Sequence, residues 1–103
     1  MTTINQTYFA NVETAIGIAK TGNHRRLEEY LKSLDFGAIK TMQLLVHLGA
    51  DEELHYDCDP ISIDGQRWGS QESETKELLG LGIETFVIDL QGGYNLFKQR
   101  ENI

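Results

Sequence analysis

Residues 27–49, LEEYLKSLDFGAIKTMQLLVHLG, place two helix-period segments one after the other, and their reading decides the fold. Leu27, Tyr30, Leu31 and Leu34 fall on one side of a helix, because residues three and four apart share a face. Asp35 is a residue type that caps helix N-termini. Ile39, Met42, Leu45 or Val46, and Leu48 then mark a second helix, from about Phe36 to Leu48, with Gly49 as its stop signal. Beyond that glycine the chain runs into Asp51-Glu52-Glu53.

The same periodicity extends outward from this pair. Ile4, Tyr8, Phe9, Val12, Ile16 and Ala19 predict a first amphipathic helix from about Asn5 to Lys20. Thr21-Gly22-Asn23 ends it, with Gly22 suited to the left-handed conformation and Asn23 suited to cap the next helix, His24 to Ser33. From Ala50 to Gly69 the helical period vanishes. Asp57, Asp59, Pro60, Asp64, Gly65 and Gly69 punctuate this stretch, and Ile61, Ile63 and Trp68 around the turn dipeptide Asp64-Gly65 permit a small hairpin within 56–68. Ser70 is placed to cap a fourth helix to about Leu79, and Gly80-Leu81-Gly82 breaks it. The stretch 85–97 has strand-like composition at Thr85-Phe86-Val87-Ile88, yet Phe86, Leu90, Gly93 and Phe97 make a helical stripe. Length favours a helix, and Gly92-Gly93 is tolerable there if a neighbouring helix packs closely.

Size and composition narrow the class. A chain of 103 residues with 40% hydrophobic content and mean hydropathy −0.36 reads as one ordinary domain, 1–103, with a tail fraying over about 99–103. No apolar run approaches the roughly 20 residues that span a bilayer, and the first residues lack the pattern of a signal peptide. Cys58 is the single cysteine, so no intrachain disulfide forms and a cytoplasmic setting is expected. Charge is divided unevenly: residues 1–49 carry +1 and residues 50–103 carry −8, within a net −7. Such a field repels phosphates and anionic headgroups, which argues against direct nucleic-acid binding or membrane association.

One resemblance is carried by the third helix. Ile39-Lys40-Thr41-Met42-Gln43-Leu44-Leu45-Val46-His47-Leu48-Gly49-Ala50-Asp51 resembles a segment close to I-K-T-x-Q-x-φ-φ-x-L-G-R-D, with φ apolar, in a family of small bacterial proteins classed as a domain of unknown function. Trp68, the short acidic helix from Ser70 to Leu79, and Phe86, Leu90 and Gly93 look like the later features of that family. Ala50 stands where the family pattern has Arg. The resemblance implies a mainly helical fold and no particular reaction.

Candidate chemistry is sparse. His47, His55 and Cys58 are three residue types that ligate zinc, close to several carboxylates. Their spacing matches no zinc motif, and a calcium loop beginning at Asp57 fails at Ile61 and Trp68. The flanking Asp57 and Asp59 favour the neutral thiol of Cys58, against a nucleophilic role. No catalytic set and no cofactor are expected. His24-Arg25-Arg26 sits at a helix N-terminus, where positive charge opposes the dipole, and pairing with Glu28 or Glu29 is the simple account.

The sequence therefore predicts an all-α domain of four to five short helices, with Tyr8, Phe9, Val12, Ile16, Leu27, Leu31, Ile39, Met42, Val46, Phe86, Leu90 and Phe97 in the core. Its expected role is a non-enzymatic interaction module, a small acidic adaptor, regulator or inhibitor. Asp51, Glu52, Glu53, Asp57, Asp59 and the His24-Arg25-Arg26 cluster are its expected partner-binding residues, and a protein with a basic surface, of a bacterial host or a phage, is the expected partner. The alternative is a small metal-dependent hydrolase using His47, His55 and Cys58. A homodimer is also expected, through an apolar strip left uncovered on the first or last helix.

Overall fold

The computed structural model describes residues 6–50 and 69–100, which are helical apart from short links. A 3-10 turn, Gln6–Tyr8, leads into α1 (Phe9–Lys20). It is followed by α2 (His24–Ser33), α3 (Phe36–Ala50), α4 (Gln71–Gly80) and α5 (Ile83–Arg100). No strand occurs among the described residues, so the stretch 85–97 is helix, as its length requires. The hairpin expected within 56–68 lies outside the described residues, as do 101–103 of the expected frayed tail.

Short polar residues set the helix boundaries. Asn23 accepts from the Arg26 N–H at 3.0 Å and starts α2, Asp35 accepts from the Ala38 N–H at 3.0 Å and starts α3, and Ser70 accepts from the Ser73 N–H at 3.1 Å and starts α4. Each satisfies an N–H that the first turn of a helix leaves without an internal partner. Gly22 and Gly82 adopt positive φ, 79° and 84°, and turn the chain after α1 and α4.

Helix one begins later than its periodicity suggests. Tyr8 ends the 3-10 turn because its ring is used elsewhere: it lies over Gly37, and its hydroxyl donates to Asp35 at 3.2 Å. One carboxylate thus caps α3 and holds the turn that precedes α1. A side chain at position 37 would strike the ring, with a Cβ only 2.7 Å from the Tyr8 Cζ.

The centre of the molecule is the pairing of α3 with α5. A Cβ on Gly49 would lie 2.7 Å from the Gly93 nitrogen, and a Cβ on Gly93 would lie 2.6 Å from the Leu45 carbonyl carbon. Leu45 meets Gly93 while Gly49 meets Asp89, so the two helices run in opposite senses where they touch. Here the expectation for Gly49 is corrected. It does not stop the helix: α3 continues to Ala50, and Gly49 serves instead as the point where two backbones meet.

Around this contact the core closes. Val12, Ile16, Leu27, Leu31, Ile39, Met42, Val46, Phe86, Leu90 and Phe97 are buried, while Tyr8 and Phe9 are half-buried at its margin. Phe9 packs edge-on against Tyr94 and Phe97, with centroids 5.2 and 5.7 Å away. The apolar residues of α1 are therefore covered, and the uncovered strip expected there is absent. Exposed apolar bulk lies on α5 instead, at Ile88 (68% exposed) and Leu96 (37%).

Gly49→Ala and Gly93→Ala should each force α3 and α5 apart and cost about 3 kcal/mol or more, since the obstruction is backbone rather than a movable side chain. Gly17→Ala is the control: Gly17 is exposed within α1 with open space around its Cα, so alanine should stabilise by about 0.5–1 kcal/mol. Thermal melts of the three variants give the comparison, and a tolerated Gly93→Ala would contradict the close pairing.

Candidate functional site

Local sequence explains the basic cluster at the start of α2. His24, Arg25 and Arg26 are exposed, and Asn23 caps the helix through the Arg26 backbone. The Arg25 guanidinium lies 3.3 Å from Glu29 one turn on, and Lys32 pairs with Glu28 at 3.4 Å. Both are exposed i,i+4 pairs, each worth a few tenths of a kcal/mol. The misplacement of Arg25 against the helix dipole is thus offset within its own helix.

The acids of α4 do different work from an exposed acidic face. Glu74 is buried, and its two oxygens accept from Gln43 Nε2 of α3 at 2.7 Å and from the Gly69 N–H at 3.0 Å. Glu77 accepts from the same Gln43 nitrogen at 2.8 Å, and Glu72 pairs with Lys76 at 3.5 Å. Gln71 donates to the Leu34 carbonyl at 2.6 Å. These bonds hang α4 on α3 and on the link that precedes it. A buried carboxylate requires such partners, and among the described residues no buried side-chain nitrogen or oxygen lacks one.

A second polar link joins α1 to α5. The Tyr94 ring is buried and its hydroxyl donates to Glu13 at 2.7 Å, with the Lys98 ammonium 4.3 Å from the ring centre. Burial, reinforced by the neighbouring Glu13 carboxylate, pushes the Tyr94 hydroxyl up to about 12. Glu13, Ile16, Gly17, Lys20, Gln91, Tyr94 and Lys98 line a cleft of about 270 Å³ there. A larger cleft of about 450 Å³ lies between α2 and α4, walled by the Glu28–Lys32 and Glu72–Lys76 pairs and floored by Thr75 and Leu79. The charges in its walls satisfy one another.

Of the residues singled out in the sequence, His47 is exposed on α3, while His55 and Cys58 lie outside the described residues, as do Asp51, Glu52, Glu53, Asp57 and Asp59. Among the described residues no group of three His, Cys, Asp or Glu side chains is arranged to hold a metal ion. No helix among them is long and apolar enough to cross a membrane. Sequence reasoning missed the Gln43–Glu74 and Glu13–Tyr94 bonds, which join residues 31 and 81 positions apart. The one local signal was a glutamine, Gln43, inside the apolar run of α3. No family model, curated protein or solved structure matches this chain.

The raised Tyr94 hydroxyl sets a pH dependence. The unfolded chain releases this proton near pH 10 while the folded chain holds it to about 12. The stabilisation is therefore complete below pH 10 and is lost as pH rises through about 12. Urea titrations across that range should show this component in the wild type and a shallower decline in Tyr94→Phe; identical profiles would remove Tyr94 as its source.

Proposed function

We propose that this protein is a non-enzymatic interaction module, a small acidic adaptor, regulator or inhibitor whose partner presents a basic protein surface. The observation that supports the reading is the partition of charge. Across the described helical residues, 6–50 and 69–100, nine acids face eight bases, whereas 51–68 carries six acids and one base, Arg67. The helical body is close to neutral, and most of its acids are taken up by a cap, by i,i+4 pairs, by Gln43 and by Tyr94. Asp51, Glu52, Glu53, Asp57 and Asp59 instead concentrate like charge in a single connection between α3 and α4.

A concentrated field of this kind steers encounter with a positively charged partner and sets specificity more than affinity. It repels nucleic-acid phosphates and anionic lipid directly, while resembling them to a protein that binds phosphate. The reading places the protein in the cytoplasm, in keeping with the lone Cys58. It also sets the exposed His24-Arg25-Arg26 cluster against acids of a second copy.

The test is a triple reversal, Glu52→Lys, Glu53→Lys and Asp57→Lys, used as bait beside the wild type at low and high salt. Partners captured by the wild type should be lost from the reversed bait, and capture should weaken as salt shortens the screening length below about 8 Å. An unchanged set of partners at both salt concentrations would sink the reading. Light scattering over a salt series bears on the second copy: a monomer at every concentration refutes it.

A further inference from the structure

Gly17 is a glycine that the packing of the fold does not explain. Gly22 and Gly82 hold positive φ, and Gly37, Gly49 and Gly93 each meet a neighbour that a Cβ would strike. Gly17 does neither. It lies inside α1, exposed, and a Cβ there would have nothing within 4 Å. Alanine would suit the helix better. What glycine provides here is width, because Gly17 lines the cleft of about 270 Å³ between α1 and α5.

The same cleft gathers charges without partners. Arg25, Lys32 and Lys76 each pair with a glutamate one turn away, whereas Lys20 and Lys98, which line the cleft, have no carboxylate partner among the described residues. Phe9 meets Phe97 and Glu13 meets Tyr94, so α1 and α5 run antiparallel and the two lysines reach the cleft from opposite ends. Between them lie the buried Ile16 and the buried Tyr94 ring, with the Lys98 ammonium 4.3 Å from its centre. Glu13 gives one oxygen to the Tyr94 hydroxyl at 2.7 Å, a bond that fixes its carboxylate and leaves the second oxygen as an acceptor. Gln91 donates to Asn95 at 2.9 Å, which leaves its amide oxygen as another. Two ammoniums against one carboxylate make this a positive spot on a chain of net −7.

We infer that the cleft between α1 and α5 binds a small acidic amino acid, with its two carboxylates on Lys20 and Lys98 and its ammonium on Glu13. Such a ligand carries the complementary set of charges, two negative groups and one positive. Size agrees: the volume falls just under the roughly 300 Å³ at which pockets for drug-sized ligands begin, so the occupant is a compact metabolite. Ile16 and Tyr94 form an apolar base beneath it, and low local dielectric strengthens each charged contact. Gly17 keeps the wall beside Lys20 free of a side chain. The site lies apart from the acidic connection on which the adaptor reading rests, and it stands or falls without it.

The probe is glutamate, titrated into the full chain at neutral pH and followed by NMR. It should bind saturably, with the largest shifts at 13–20 and 91–98. Glutarate, which lacks the amine, should bind severalfold more weakly. Lys20→Gln should weaken glutamate binding about tenfold, the worth of one hydrogen bond to a charged group. Arg26→Gln, which removes an exposed cation outside the cleft, should leave it unchanged. Glu13→Gln keeps an acceptor for the Tyr94 hydroxyl and should abolish the preference for glutamate over glutarate. Gly17→Ala should weaken binding severalfold while raising the melting temperature, an outcome that a purely structural glycine would not produce. No saturable binding by the wild type, or equal binding by Lys20→Gln or by Gly17→Ala, overturns the proposal. So does glutarate binding as tightly as glutamate, or an Arg26→Gln variant that binds as weakly as Lys20→Gln.

Discussion

Two backbones touch where α3 crosses α5, and every other feature of the molecule is arranged around that approach. Gly49 and Gly93 leave no room for a Cβ on either side, so the helices come closer than any pair with side chains at those positions. Close approach brings the flanking apolar residues, Leu45, Leu48, Leu90 and Phe97, into a continuous core. It also fixes the ends. α1 packs on α5 through Phe9 against Tyr94 and Phe97, and α4 reaches α3 through Gln43. Glycine in the middle of a helix lowers its intrinsic stability, and here the packing gained at the crossing outweighs that loss.

Local features of the fold were legible in the sequence, because caps and turns are decided by one or two residues. Asn23, Asp35 and Ser70 accept the N–H bonds that their types and positions suggest. Gly22 and Gly82 take positive φ between periodic segments. Even the condition attached to Gly92-Gly93, a closely packed neighbour, is met at Gly93. Gly49 was read wrongly for an instructive reason. A glycine after an apolar run signals a stop when considered alone, and only the partner helix some forty residues later shows it to be a contact. The same limit hid the seat of Tyr8 on Gly37, which shortens α1 at its start.

Of the candidate site, the charge pattern was legible and the fate of individual charges was not. Glu72, Glu74 and Glu77 extend the acidic run in sequence, yet in the fold they pair with Lys76, Gln43 and the Gly69 N–H. A buried carboxylate and an exposed one look alike in a string of letters. What separates them is a long-range partner, and Gln43 was visible only as a polar residue in an apolar stretch. The exposed apolar bulk on α5 was concealed in the same way. Ile88 reads as part of a hydrophobic stretch, and only the position of α3 shows that it faces outward.

Those assignments sharpen what the remaining charge implies. Seven of the nine acids within the helical body, all but Glu84 and Asp89, answer to specific donors. Six acids between Asp51 and Asp64 have Arg67 as the only base in their own connection, and their mutual repulsion works against compactness. A protein that needed charge only to stay dispersed would lose nothing by spreading it over four exposed helix faces.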